Sequence, residues 1–199
     1  MTEPSADTPT TRELRNRPLL AVHTGEMKGK TTAALGTALR AWAAGLSVVV
    51  VQFVKSGRWR VGEETAFRAL GRLHEETGQG APVEWHAYGQ GFTWTRTPAG
   101  APDPRTTAVQ AWGEVRRRLA EERHGFYLLD EFTYPMTWGW VDVDEVVETL
   151  RSRPGFQHVV ITGRDADPRL VAAADLVAES VKVKHPMDDG RPGQKGIEW

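Results

Sequence analysis

The chain has 199 residues, of which 40% are hydrophobic, and this length suits one domain with a sizeable core. A formal net charge of -1 argues against a general nucleic-acid surface, and the lack of cysteine excludes disulfides, thiolate metal sites, iron–sulfur clusters and a thiol nucleophile. No apolar run approaches the ~20 residues of a membrane span, and the first residues lack a signal-peptide core, so we expect a cytoplasmic protein that contacts no membrane.

Three regions differ in composition along the chain. Residues 1–17 are polar and rich in Thr and Pro, which predicts a flexible N-terminal arm. Residues 18–184 alternate apolar runs with helical patterns and are predicted to form one α/β domain. Residues 185–199 are rich in Gly, Pro, Lys and Asp, which predicts an irregular tail of the same domain.

A glycine-bearing segment follows the first apolar run, Pro18–Val22. It reads HTGEMKGKTT from His23 to Thr32 and opens an alanine-rich helical pattern. A strand, a glycine turn and a helix N-terminus in this order are the context of a phosphate-binding loop, where backbone amides and the helix dipole favour an anion. The Lys supplies charge and the first Thr a hydroxyl for Mg²⁺. The residues expected to bind nucleotide phosphates are Thr24, Gly25, Lys28, Gly29, Lys30, Thr31 and Thr32.

The spacing of this loop departs from the usual pattern. Gly25 and Gly29 enclose three residues rather than four, so in a loop of normal length Thr24 would fill the first glycine position. A β-branched residue should not adopt a positive φ, and we therefore expect a shorter or differently shaped loop. The alternative is an ordinary glycine turn before an alanine-rich helix.

Further elements follow in alternation. Helices are predicted at about 30–45, 63–73, 106–122 and 168–174, and another helix, capped by Asp142 or Asp144, is predicted to run to Arg151. Strands are predicted at 47–54, 83–87, 126–129, 158–162 and 176–183. In the third helix we expect a buried face formed by Val109, Trp112, Val115 and Leu119. The opposite face is expected to hold the solvated arginines Arg116, Arg117 and Arg118. Residues 136–140 are predicted to form an aromatic loop. The sum is an α/β fold resembling P-loop NTPases, with a mostly parallel sheet of five to six strands and helices on both faces.

Two acidic residues end the apolar strand Phe126–Leu129. Asp130 and Glu131 stand where an ATP-binding protein presents a carboxylate to Mg²⁺, opposite the loop threonine. Arg164 also follows a strand, and it is predicted either to reach phosphate or to form a structural ion pair. Phe92 and Trp94 share one side of an extended segment, as core residues of an edge strand or as a platform for a flat ligand.

Several of these motifs together resemble the ATP:corrinoid adenosyltransferases of the cobalamin pathway. The resemblance runs from about Leu19 to the C-terminus and rests on GxxKGKTTAALGTALRA, VVVVQFVKS, GFTW, LLDEFTY, VVITGRD and VKHPMDDG…GQKGIEW. Glu26 and Met27 depart from it, because the family commonly has a small polar residue and a glycine there. This difference affects the expected shape of the loop more than its role.

The resemblance implies transfer of the 5′-deoxyadenosyl group of ATP to the Co(I) of a reduced corrinoid, with release of triphosphate. Lys30 would stabilise the leaving group, Mg²⁺ (with Mn²⁺ as the alternative) would be held by Thr31 and an acid, and Glu131 matches the family's metal-binding acid better than Asp130. Phe92 and Trp94 match aromatics that crowd the lower face of the corrin ring and remove its lower axial ligand.

The resemblance also implies partners. These are ATP, cobalamin or cobyrinic acid a,c-diamide as acceptor, a reduced flavin or flavoprotein as electron donor, and a second copy of the chain in a homodimer, with no nucleic acid and no membrane. Two other functions stay open on the residues alone. One is a P-loop ATPase or kinase that transfers the γ-phosphoryl group; the other is a module that binds corrinoid without chemistry.

Overall fold

The computed structural model describes residues 17–56, 62–89 and 103–197 of the chain. These residues form an alternation of strands and helices. The strands are β1 (Leu20–Thr24), β2 (Val48–Ser56), β3 (Val83–Gly89), β4 (Phe126–Asp130), β5 (His158–Thr162) and β6 (Leu176–Glu179). The α-helices are α1 (Lys30–Ala43), α2 (Gly62–Thr77), α3 (Pro104–Ala120), α4 (Thr133–Thr137), α5 (Val143–Ser152) and α6 (Pro168–Ala173), and a 3₁₀ helix follows at Pro186–Asp189.

The six strands form one parallel sheet in the order β3-β2-β4-β5-β1-β6. Because a parallel sheet with crossover helices is covered on both faces, its central strands are apolar runs rather than alternating patterns. Every residue of β4 is buried, as this rule requires. The prediction of a mostly parallel α/β sheet of five to six strands is confirmed.

Helices pack against both faces of the sheet. One face is covered by α1 and α2, with Leu35 and Phe67 among the buried contacts. The other face is covered by α3 to α6, whose buried residues include Trp112, Val146 and Leu170. Within the described ranges, no helix combines the length and the apolar character needed to cross a membrane.

The predicted faces of α3 are wrong at two positions, Val109 and Arg118. Val109 is 45% exposed, whereas Arg118 is 6% exposed and forms ion pairs with Glu84 and Glu114. The helical period explains both differences. Arg118 follows Val115 by three positions and shares its buried face, while Val109 precedes the exposed Arg116 by seven.

Two other expectations need correction. The predicted loop over residues 136–140 begins inside α4, and its aromatic rings are half-buried. The Trp138 ring stacks on Tyr134 with centroids 5.3 Å apart, and it lies tilted at 54° to the Trp140 ring with centroids 4.5 Å apart. The last strand ends at Glu179 rather than Val183. It pairs with β1 only as far as Thr24, where the glycine-bearing segment turns away from the sheet.

Candidate functional site: a phosphate-binding loop beside a buried carboxylate

The carboxyl ends of three neighbouring strands meet at one edge of the sheet. In the order β4-β5-β1, these ends bring Asp130, Thr162 and Thr24 together, and in open α/β sheets ligands bind at this edge. Residues 25–29 form the connection from β1 to α1, so the glycine-bearing segment lies at the same edge. The sheet order thus assembles a site from residues about 100 positions apart in the chain.

Glycines, not Thr24, provide the unusual backbone of the loop. Gly25 has φ +96° and Gly29 has φ +103°, while Thr24 ends β1. A Cβ atom on Gly25 would lie 2.5 Å from the carbonyl oxygen of Ser180, which a real side chain could not tolerate. Met27 N–H donates to the same oxygen at 3.2 Å. The three-residue spacing is therefore accommodated by a turn at Gly25 that packs closely on the end of β6.

The Lys30 side chain lies buried within this loop. Its Nζ donates to the carbonyl oxygens of Gly25 at 2.7 Å and of Met27 at 2.6 Å. Burial lowers the pKa of Lys30, and the nearby Glu131 carboxylate opposes that effect. A desolvated ammonium held by neutral carbonyls is a strong contact for an anion, because the low local dielectric strengthens the attraction.

Helix α1 begins at the loop without a capping side chain. Its N-cap is Gly29 and its first turn holds no acidic residue. The first peptide amides of an α-helix lack intrahelical acceptors and carry the positive end of the helix dipole. Thr32 and Lys28 are exposed on either side of this start. The N-terminus of α1 is therefore suited to an anion rather than to a carboxylate of the chain itself.

Asp130 is fully buried and links the loop to the sheet. Its Oδ1 accepts hydrogen bonds from the hydroxyls of Thr31 at 2.7 Å and Thr162 at 2.8 Å, and its Oδ2 accepts one from Gln52 at 2.9 Å. Since the Thr31 hydroxyl donates its proton to Asp130, its oxygen keeps lone pairs for a cation. Oxygen donors of this kind match the preference of Mg²⁺ for hydroxyl, carboxylate and phosphate oxygens.

Glu131 follows Asp130 in a conformation that is rare outside glycine. Its φ is +60°, and its N–H donates to Thr162 Oγ1 at 3.0 Å. Residues held in the left-handed region cluster at functional sites, because their strain persists only where the surroundings fix it. The half-buried Glu131 is also the charge that most raises the pKa of Lys30. Its carboxylate and the ammonium therefore belong to one electrostatic site.

Comparison with known proteins identifies the family. Residues 16–199 match the family described as ATP:corrinoid adenosyltransferase BtuR/CobO/CobP. The chain is 39% identical over 183 residues to the corrinoid adenosyltransferase of Pseudomonas aeruginosa, covering 92% of this chain and 84% of that protein. It is 38% identical to the corrinoid adenosyltransferase of Salmonella typhimurium and 37% identical to that of Escherichia coli, covering 92% of this chain and 86% of each. The chain belongs to the ATP:corrinoid adenosyltransferase family.

Membership of this family confirms the resemblance found in the motifs. It supports transfer of an adenosyl group from ATP to a corrinoid in the cobalamin pathway, and neither the matches nor the site favours the kinase alternative. Nine of the site positions predicted from the sequence lie at one edge of the sheet: Thr24, Gly25, Lys28, Gly29, Lys30, Thr31, Thr32, Asp130 and Glu131. Phe92, Trp94 and residues 1–16 of the N-terminal arm lie outside the described residues.

Two residues of this site were not singled out from the sequence. Thr162 and Gln52 both hydrogen-bond to Asp130, and Trp85 Nε1 donates to Gln52 Oε1 at 3.2 Å. Each is a polar residue that directly follows a run of buried apolar residues, and that contrast was the signal available. These two polar residues can be assigned to the site only when the strand order is known, because β2 and β5 flank β4.

Proposed function

We propose that the loop holds the triphosphate of ATP while a reduced corrinoid takes the 5′-deoxyadenosyl group. The observation that carries this proposal is the contact between Thr31 and the buried Asp130 beside the desolvated Lys30. Together with the uncapped start of α1, it offers a polyphosphate an ammonium, helix amides and a cation ligand within one loop.

The reaction places negative charge on the leaving triphosphate. The electron pair of Co(I) attacks C5′ of ATP, the C5′–O bond breaks, and its electron pair leaves with the triphosphate. No proton moves in this step, so a general base is not required. Lys30 and the helix amides then supply the catalytic stabilisation, because they belong to the loop proposed to hold the departing triphosphate.

Mg²⁺ fits the oxygen donors beside the loop. We assign the Thr31 hydroxyl and the Glu131 carboxylate as its protein ligands, with Mn²⁺ as the alternative metal, and Asp130 as the group that orients the Thr31 hydroxyl. When bound, Mg²⁺ neutralises charge on the phosphate oxygens and so makes triphosphate a better leaving group.

Phe92 and Trp94 are proposed to contact the lower face of the corrin ring. Loss of the lower axial ligand makes reduction to Co(I) easier, since axial ligands set the potential of a metal. Changing both residues to Ala should then slow turnover from cob(II)alamin far more than turnover from preformed cob(I)alamin. Equal losses with the two substrates would contradict this role.

Other features of the enzyme are proposed from its family. The acceptor is cobalamin or cobyrinic acid a,c-diamide, and a reduced flavin or flavoprotein supplies electrons, because a chain without cysteine has no dithiol of its own. A homodimer and a cytoplasmic location remain predictions.

A single incubation tests the proposed reaction. The protein is mixed with ATP, Mg²⁺ and chemically reduced cobalamin, and the expected products are a cobalt–carbon bond, seen in the visible spectrum, and intact triphosphate in equal amount. Release of phosphate without corrinoid would favour an ATPase instead. Binding of corrinoid with ATP left intact would favour a module without chemistry.

A further inference from the structure

An ion pair joins the loop to the end of β5. Nη1 of Arg164 lies 3.3 Å from Oε2 of Glu26, and both side chains are about half-exposed or more, at 49% and 66%. Glu26 stands between Gly25 and Met27, whose carbonyls receive the Lys30 ammonium. An acidic residue of the loop is therefore paired with a cation at the edge where the polyphosphate is expected.

Both members of the pair act on the phosphate site. Glu26 raises and Arg164 lowers the pKa of Lys30, although burial is the larger influence. A guanidinium binds phosphate oxygens in the same forked geometry that it uses for carboxylates, so Glu26 and a phosphate are equivalent partners for Arg164. They also repel one another, because both are anions.

We propose that the Glu26 carboxylate competes with bound polyphosphate for Arg164 and thereby favours release of the triphosphate product. This inference rests on the proposed function, in which the loop binds the triphosphate portion of ATP. Arg164 turns from Glu26 to the polyphosphate when ligand is bound and returns to Glu26 when the ligand leaves. Glu26 is a positioning residue that acts through Arg164.

Once Arg164 has turned to the ligand, the displaced Glu26 carboxylate stands beside the ligand without its cation, and this affects the product more than the substrate. In ATP one end of the triphosphate is an ester to the ribose, whereas the free product has one more acidic oxygen at that end and can carry one more negative charge. Repulsion by a fixed carboxylate grows with the charge of the ligand. Glu26 therefore weakens binding of triphosphate more than binding of ATP, which leaves the loop free for the next turnover.

Binding measurements on Glu26→Gln test the inference. The probes are inorganic tripolyphosphate and ATP, both with Mg²⁺, titrated calorimetrically into the full chain. We expect Glu26→Gln to bind tripolyphosphate about fivefold more tightly, the range of an exposed ion pair, with a smaller change for ATP. Inhibition of turnover by added tripolyphosphate should strengthen to the same extent. Equal affinities of variant and parent for tripolyphosphate would overturn the inference.

Two further variants separate competition from other effects. Glu148→Gln removes an exposed acid of α5 and should change neither affinity. In an Arg164→Gln background, Glu26→Gln should increase the affinity for tripolyphosphate by less than half as much as it does in the parent, because the cation for which Glu26 and the ligand compete is absent. An undiminished effect in that background would mean simple repulsion and would reject the competition.

Lys30→Ala distinguishes this inference from the function on which it rests. If Lys30→Ala binds tripolyphosphate as tightly as the parent does, the loop is not the phosphate site and the proposed function fails. If Lys30→Ala loses binding while Glu26→Gln matches the parent, the phosphate site stands and only the role of Glu26 is rejected. Salt should reduce the difference between Glu26→Gln and the parent, because both side chains are exposed.

Discussion

Buried cations at the two ends of the sheet have different partners. Near the amino ends of β3 and β4, Arg118 is held by two carboxylates, Glu84 and Glu114, each at 2.6 Å. At the carboxyl end, the two hydrogen-bond acceptors found for the Lys30 ammonium among the described residues are backbone carbonyls. The first cation is neutralised within the protein, whereas the second keeps charge that a ligand can use.

The difference separates a structural cluster from a ligand site. A buried ion pair forms when the protein folds, and removal of one partner destabilises the folded state. A cation solvated by carbonyls can exchange them for phosphate oxygens, to which it is attracted more strongly. The strained backbone of Glu131 beside it agrees with this interpretation, because strain is retained where geometry serves a ligand. The comparison therefore predicts that changes at the carboxyl edge affect activity and changes at the amino edge affect stability.

The largest effect is expected for Lys30→Ala. Removal of one preorganised charge contact to a leaving group costs about 10²- to 10³-fold in kcat. The measurement is steady-state formation of the cobalt–carbon product with chemically reduced cobalamin. Arg72→Ala, an exposed cation on α2, is the control and should turn over normally. Near-normal turnover by Lys30→Ala would remove the distinction between the two ends of the sheet.

A smaller effect is expected for Glu131→Gln. If Glu131 is a ligand, its loss should raise the Mg²⁺ concentration needed for half-maximal activity by about tenfold or more, the lower range for changes around a metal site. Asp130→Asn is the matched variant, and it should lower maximal activity through loss of the Thr31 orientation. An unchanged Mg²⁺ titration in Glu131→Gln, with a shifted one in Asp130→Asn, would assign the metal to Asp130.

The features that could be predicted from the sequence are those that depend on residues close together along the chain. Strand β1, the glycine turn and the start of α1 are specified within residues 18–32, and apolar runs mark the parallel strands. The contact of Thr31 with Asp130 and Thr162 depends on strand order, which local patterns do not encode. The pairing of Arg118 with Glu84 depends on how α3 rotates over β3, and the arginine run alone suggested a solvated face.

At the amino end, Arg118→Met should destabilise the protein. It leaves Glu84 and Glu114 without their shared partner, and because these carboxylates are partly exposed we expect a loss of about 2 kcal/mol in the free energy of unfolding. Arg117→Met is the control, since the Arg117 side chain is exposed and its ion pairs with Glu114 and Glu121 should contribute much less to stability than those of the buried Arg118. Denaturant unfolding measures both, and turnover per folded molecule should be unchanged. An activity loss that exceeds the unfolded fraction would give this cluster a catalytic role.

The smallest effect is expected from the pH dependence of His124, which is 5% exposed in the same cluster. Burial lowers its pKa to about 4, opposed by Glu84 and assisted by Arg118, Arg123 and His86. Nη1 of Arg118 donates to Nε2 of His124 at 3.0 Å, so that nitrogen is an acceptor and the ring is neutral. Protonation would turn this acceptor into a donor facing a guanidinium.

The sign of the effect follows from the direction of the shift. Between the ordinary value of 6.5 and about 4, the unfolded chain binds a proton that the folded His124 does not, so stability falls as pH falls through this window. The pKa of Glu84 is affected by burial, which raises it, and by His86 and Arg118, which lower it to about 2. The contribution of Glu84 to stability is therefore lost only when the pH falls below about 4.5. Unfolding measurements at about pH 7.5 and 5 thus report mainly on the protonation of histidines.

His124→Gln removes one of these histidines and keeps a hydrogen-bond acceptor for Arg118. Burial also lowers the pKa values of His23 and His158, so the parent carries several contributions, and the difference between parent and variant isolates His124. We expect the parent to lose about 1–2 kcal/mol more than His124→Gln between the two pH values. Identical losses would mean that His124 can charge where it lies, and that the amino-end cluster is less closed to water than its burial indicates.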